Sequence, residues 1–180
     1  FHNLGTAAEN LQIGSSYQHW TLASFLARAR WDYQGKYYAN IAIRTDGSSR
    51  LAAGNQWAFF PSGGVAWRIS EEKFFGKREW LNSLKLRASY GAVGNSAIVS
   101  LGDLRNTNPD LKWEVKHTFN TGIDVALFGN RLLLSANYYN SRTTDMLYLY
   151  NVSVPPFTYN TLLANIGSMR NWGTEIAIGI

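Results

Sequence analysis

The sequence predicts an all-β chain, an antiparallel up-and-down meander of about seven strands placed as part of a transmembrane β-barrel. Three observations carry this. Long stretches alternate apolar and polar residues with period two, and no convincing helix exceeds a turn or two. The connections alternate between tight turns and long polar loops, which in a meander places the short turns at one end and the loops at the other. Within strands the charges keep to one parity, opposite the aromatic and aliphatic residues. A charge facing lipid near the midplane would cost ~2–4 kcal/mol.

The first strand runs from Ser16 to Tyr33, after a small and polar segment, residues 1–14, read as loop. Phe25, Ala27, Ala29, Trp31 and Tyr33 share one face; Leu26, Arg28, Arg30 and Asp32 share the other. Gln34-Gly35-Lys36 is a short turn in which glycine supplies a positive φ. Strand two is Tyr37 to Thr45, and 46–56 is a polar loop in which Asp46-Gly47-Ser48-Ser49 reads as turn chemistry at a strand end. Strand three runs from Trp57 to Ile69, with Pro61 near its start. The connector 70–83 has room for a helical turn behind Ser70, and its adjacent Glu71 and Glu72 read as a solvated turn. Strand four is Leu84 to Tyr90, and 91–110 is read as loop, with Gly91-Ala-Val-Gly94 as the strand exit.

The clearest hairpin follows. Leu111, Trp113, Val115, Phe119, Ile123, Val125 and Leu127 alternate with Lys112, Glu114, Lys116, Thr118, Asn120, Asp124 and Ala126. A turn at Phe128-Gly129-Asn130 leads into strand six, Leu132 to Tyr139. Residues 141–164, with Pro155-Pro156, read as a third long loop, and the last strand is Ile166 to Ile180. These strands approach the ~9–11 residues that a tilted strand needs to cross a bilayer. Tyr33, Tyr37 and Phe128 gather at the short turns, where an aromatic girdle would sit. His117 and Arg170 break the charge rule.

Composition bounds the function. There are no cysteines, so neither disulfides nor thiolate metal sites exist. No run approaches the ~18 apolar residues of a membrane helix. The chain begins at Phe1 without a Met start or a signal peptide, and reads as a mature product or an excerpt. The net charge of +5 is scattered and forms no basic cluster for a phosphate backbone, which argues against nucleic acid. The three histidines, His2, His19 and His117, lack metal-ligand spacing and fit no Ser-His-acid triad, so no metal, cofactor or enzyme activity is expected.

Five segments also resemble a known family: IAIRTDGSSR (41–50), FFPSGGVAWRISEEKFF (59–75), WLNSLKLRASYGAVGNS (80–96), NPDLKWE (108–114) and LANIGSMRNWGTEI (163–176). In this order they are similar to the C-terminal barrel of the SusC/RagA group of TonB-dependent outer-membrane transporters. The resemblance implies a barrel of about twenty-two strands with a plugged lumen. Residues 1–180 would then be a partial barrel, with the plug, the TonB-binding segment and the remaining strands absent. The segment 97–106 is short for the family. It further implies a SusD-like surface lipoprotein and the TonB complex as partners, outer-membrane lipid around the strands, and an oligosaccharide or, in some members, a peptide as ligand.

Candidate ligand-binding or lumen-lining residues are Arg44, Asp46, Trp57, Arg68, Arg87, Lys112 and Glu114. The basic and acidic groups suit a hydrated passage, a plug contact, or mutual pairing across strands; Trp57 and Phe59 suit sugar stacking or interface anchoring. The rival reading is a soluble β-sandwich or lectin-like carbohydrate-binding module, whose apolar face would be a packed core. A barrel enzyme and a single-stranded nucleic-acid binder are weaker rivals, lacking a convergent Ser-His pair and clustered charge respectively.

Overall fold

In the computed structural model, which describes residues 19–76, 78–96 and 106–180, the alternating stretches form strands. Nine are present among the described residues: β1 (Leu22–Tyr33), β2 (Tyr37–Ser48), β3 (Trp57–Arg68), β4 (Leu81–Asn95), β5 (Glu114–Leu127), β6 (Leu132–Thr144), β7 (Leu147–Asn151), β8 (Thr161–Asn165) and β9 (Ser168–Gly179). Seven make one sheet in the order β1-β2-β3-β4-β5-β6-β9, each neighbouring pair antiparallel. β7 and β8 pair as a separate hairpin. The fold is an all-β up-and-down meander. Its sheet strands, from 12 residues in β1 to 15 in β4, are at least twice the usual length.

The register carries the sequence alternation across the whole sheet. One transverse row reads Tyr37, Trp67, Leu86, Ile123, Ala136, Ile176. The row beside it, on the opposite face, reads Tyr38, Ala66, Arg87, Gly122, Asn137, Glu175. The apolar face is bare: Ile41, Val65 and Ile176 are 60%, 61% and 77% exposed. A soluble sandwich would place a second sheet ~10 Å away over such a face, and among the described residues no second sheet covers it. Burial is concentrated instead at the long-loop end, where Leu51, Phe60, Ala92 and Trp113 form a small cluster.

Two short turns follow from backbone chemistry. Gln34 and Gly35 both take positive φ, and the Lys36 amide donates to the Tyr33 carbonyl, which is the turn whose twist matches paired strands. At the β5–β6 turn, Phe128, Gly129 and Asn130 all have positive φ. Asn82, reaching over from β4, accepts the Gly129 and Asn130 amides and holds that turn in place.

The structure moves several expected boundaries. The start at Ser16 lies outside the described residues, as do residues 1–14 and the segment 97–105, and β1 is seen from Leu22. Of Asp46-Gly47-Ser48-Ser49, the first three residues are the end of β2 and the turn begins only at Ser49. Strand three ends at Arg68, and the helical turn is a 3-10 turn at Ile69–Glu71, flanked by Arg68 with no side-chain cap. β4 continues through Gly91 to Asn95 instead of ending at Tyr90. The glycines there meet a packing demand: a Cβ on Gly94 would lie 2.0 Å from the Phe60 ring. β5 begins at Glu114, leaving Trp113 out of the sheet and in the buried cluster. β6 runs on to Thr144, and 141–164 holds the β7–β8 hairpin.

Candidate functional site

The polar face centres on Arg87 of β4. Its guanidinium makes a two-pronged pair with Asp124 of β5, at 3.0 and 3.1 Å, and reaches Asn137 Oδ1 at 2.6 Å and Ser135 Oγ at 3.3 Å on β6. Ser135 Oγ in turn donates to Asp124 at 2.8 Å. Three strands are thus cross-linked by charge-assisted bonds, the stronger kind. Around this network Arg30, Tyr38, Lys85, Lys116 and Asn120 line a concavity of about 800 Å³. Arg28, Arg30, Lys85 and Lys116 have no carboxylate partner among the described residues, although Lys85 Nζ lies 5.5 Å from the Tyr38 ring centre. The result is a polar, net-positive wall of amide, hydroxyl and cationic groups. It can hold polar ligands by hydrogen bonds and charge. Among the described residues no group of three or more His, Asp or Glu could hold a metal.

The expected site residues do not converge. Arg44, Arg68 and Arg87 share the polar face at different heights. Arg44 Nε bonds Asp46 at 2.8 Å, and Asp46 is only 4% exposed. Arg68 lies over the Tyr38 ring at 5.7 Å, and its buried Nε has no hydrogen-bond partner among the described residues. Lys112 pairs with Asp145 at 2.8 Å, and Glu114 accepts the Leu147 amide at 2.9 Å, so both brace the long-loop end. Trp57 stands apart on the apolar face, stacked on Phe25 at 6.1 Å and covering Gly47.

Sequence reasoning placed Tyr33 and Tyr37 at the short turns but missed the extent of the aromatic run there, and it missed the construction at the other end of the sheet. At the short-turn end, Trp31, Tyr33, Tyr37, Trp67 and Phe74 form a continuous run of ring contacts between 5.7 and 6.4 Å. Glu72, expected to be merely solvated, accepts hydrogen bonds from the Tyr37 hydroxyl and from Trp67 Nε1, and pairs with Lys36. The Tyr37 bond first, then the Trp67 bond and the Lys36 charge hold its carboxyl below the ordinary carboxylate range. Rings with an apolar body and a tied polar tip are what a membrane interface selects.

At the other end, asparagines knit the loops together. Asn106 donates to the Tyr159 and Thr161 carbonyls and accepts the Thr158 and Tyr159 amides. Asn165 bonds both the amide and the carbonyl of Lys112, and the Asp145 carbonyl. Trp113 Nε1 donates to the Gln56 carbonyl at 3.0 Å. The only sequence hint was Asn108-Pro109-Asp110, where Asn108 does accept the Asp110 amide.

Known proteins are similar to this chain in sequence and in fold. The family described as "TonB dependent receptor-like, beta-barrel" matches residues 3–180. TonB-dependent receptor P26 of Formosa agariphila is 34% identical over 99% of this chain and 20% of its own length. TonB-dependent receptor SusC of Bacteroides thetaiotaomicron is 30% identical over 88% of this chain and 18% of its own. A solved structure of the RagAB peptide transporter superposes with a TM-score of 0.77 and 29% identity, covering 88% of this chain and 20% of that one. The chain spans about one fifth of the length of the relatives it matches.

Proposed function

Because this chain belongs to the β-barrel family of TonB-dependent receptors, we propose that it is part of the wall of a nutrient-uptake barrel in the bacterial outer membrane. Residues 1–180 then form a partial transmembrane β-barrel domain within a larger barrel, with short turns toward the periplasm and long loops outside. The observation that carries the reading is the single-layer sheet of long strands, with its apolar face bare and the strand cations on the other face apart from one row, His117, Arg142 and Arg170, near the loop end. In lipid a bare apolar face is at rest, whereas two open edges are not, so the sheet requires further strands to close it.

In this reading the chain is a conduit and catalyses nothing. Its ligand is an oligosaccharide, or alternatively a peptide, the cargo named for the RagAB neighbour. A SusD-like lipoprotein covers the loop end, and TonB acts through a plug. Arg68, Arg87 and the unpaired Arg28, Arg30, Lys85 and Lys116 face the hydrated lumen or the plug. Arg44 and Asp46 are taken by each other, and Trp57 anchors the outer interface. Membrane fractionation with mass spectrometry of the intact native polypeptide tests this. The expected result is an outer-membrane species several times the 20.2 kDa of these residues that copurifies with a surface lipoprotein. A soluble, monodisperse species near 20.2 kDa would overturn it.

A further inference from the structure

Three basic residues point the wrong way for a charge-free lipid face. His117 of β5, Arg142 of β6 and Arg170 of β9 are register partners on neighbouring strands, on the same face as Phe119, Ile123 and Trp172. Neighbouring strands lie ~4.8 Å apart, so the three form a row roughly 10 Å wide. Arg142 and Arg170 sit directly opposite one another, an arrangement that disfavours pairing when the charges are alike. Nothing among the described residues neutralises them. No Asp or Glu occurs on that face of β4, β5, β6 or β9. Asp145, three residues from Arg142, is held by Lys112, and Glu114, three residues from His117, lies on the opposite face and accepts the Leu147 amide. Arg170 Nε donates to Asn140 at 3.0 Å, and Arg142 is exposed with no partner among the described residues. His117 Nδ1 is 2.7 Å from the Tyr90 hydroxyl, which leaves Nε2 on the far side of the ring.

The height of this row identifies what it meets. His117 and Arg142 each lie about ten residues along their strands from the tight turn that joins Leu127 to Leu132. At ~3.3 Å per residue and a tilt of ~40° that is roughly 25 Å of rise, the full height of the apolar band of an outer-membrane barrel. An aromatic row, Tyr90, Phe119 and Trp172, lies immediately below, each ring at least 44% exposed. The cations therefore stand just above the upper girdle, at the headgroup level of the outer leaflet.

We infer that His117, Arg142 and Arg170 form a binding row for the phosphate of a phosphorylated glycolipid headgroup in the outer leaflet. An anion between the two arginines relieves their repulsion and accepts hydrogen bonds from planar guanidinium groups, which suit phosphate. Each juxtamembrane cation contributes roughly a factor of five to anionic lipid binding. The inference rests on the membrane reading above.

The test uses the full-length protein that carries this sequence, in phosphatidylcholine nanodiscs containing either monophosphoryl lipid A or its dephosphorylated form. Mass spectrometry of the repurified particles counts the retained glycolipid. The wild-type protein is expected to retain the phosphorylated form preferentially. The double variant Arg142→Gln, Arg170→Gln should lose about thirtyfold of that preference, and Arg142→Lys, Arg170→Lys should keep most of it. Should the glutamine variant fail to fold, the wild-type contrast between the two glycolipids still decides. Equal retention of both forms by the wild type overturns the inference, as does loss of a protein neighbour rather than of lipid in the glutamine variant. A wild-type protein that enters the discs and shifts its gel mobility on heating, yet ignores the phosphate, sinks this inference alone. One that does neither sinks the membrane reading with it.

Discussion

The two ends of this sheet are built on different principles. At the short-turn end the described residues form no buried core: Trp31, Tyr33, Tyr37, Trp67 and Phe74 lie side by side on an open face, and two of them, Tyr37 and Trp67, donate to Glu72. At the loop end there is a core in miniature, with Trp113 edge-on to Phe60 at 5.5 Å and Leu51 and Ala92 beside them. The reason is connection length. Residues 34–36 and 128–131 close their hairpins with little entropy to overcome, and the longer connector at that end, residues 69–80, is held by the Glu72 bonds, whereas the long connections at the other end leave many residues to order and need burial and hydrogen bonds to hold them. In the proposed barrel, one end would sit at the membrane interface and the other would keep long loops in a fixed arrangement over the mouth.

Trp113→Ala separates the two most sharply. It removes the largest side chain of the buried cluster and the hydrogen bond to the Gln56 carbonyl. Core aromatic truncations cost ~3–5 kcal/mol. Hydrogen exchange on the full-length protein in detergent should show faster exchange in 49–56 and 106–113, with the amides of β1, β5 and β6 unchanged. Equal loosening at both ends would mean that the cluster supports the whole sheet. Gly94→Ala probes the same end from beneath, because the new methyl meets the Phe60 ring at 2.0 Å. Overpacking of that kind costs ~1–3 kcal/mol. A fall in thermal stability with the sheet content retained by circular dichroism is expected, while an unchanged melting temperature would show that Phe60 swings away freely.

How far the sequence shows this contrast depends on which physical signal each part leaves. All seven sheet strands were legible, because a face that meets water and a face that does not impose period two over a dozen residues, and Gln34-Gly35 and Gly129-Asn130 announce their turns. The loop end was not. Gly91 and Gly94 look like a strand exit by composition, yet they are small because Ser62 and Phe60 lie against them. Trp113 fits the alternation of β5 by parity and is nevertheless buried in tertiary contact before the strand begins. β7 and β8 are only five residues each, too short to display a period, and flank Pro155-Pro156. Arg142 was hidden for the same reason: it falls in the extension of β6 that read as loop, so the basic row appeared as two isolated exceptions. Of the candidate site, the division of the charges onto one face was readable, whereas the partners that occupy Arg44, Arg87, Lys112 and Glu114 lie 33 to 37 residues away for Lys112, Glu114 and Arg87, and were not.

The mildest test acts at the short-turn end and turns on Glu72. Its carboxyl titrates below the ordinary range because the ionised form accepts from Tyr37 and Trp67 and faces Lys36. Its contribution to stability is therefore fully present above the ordinary carboxylate pKa and fades as the pH falls through the depressed value. Glu72→Gln removes the charge while keeping an acceptor oxygen. In acid the wild type should approach the variant, whereas near neutrality the wild type should keep its Trp67 environment more rigid, seen as a higher tryptophan anisotropy. The effect should stay small, since the group sits at an open face where water screens the Lys36 pair. It should also leave exchange in 49–56 and 106–113 untouched, because no hydrogen bond or packed side chain of the loop-end cluster reaches the Glu72 turn. If acid loosened both ends together, the aromatic run and the buried cluster would be a single cooperative unit linked through β3, which carries Phe60 near one end and Trp67 near the other.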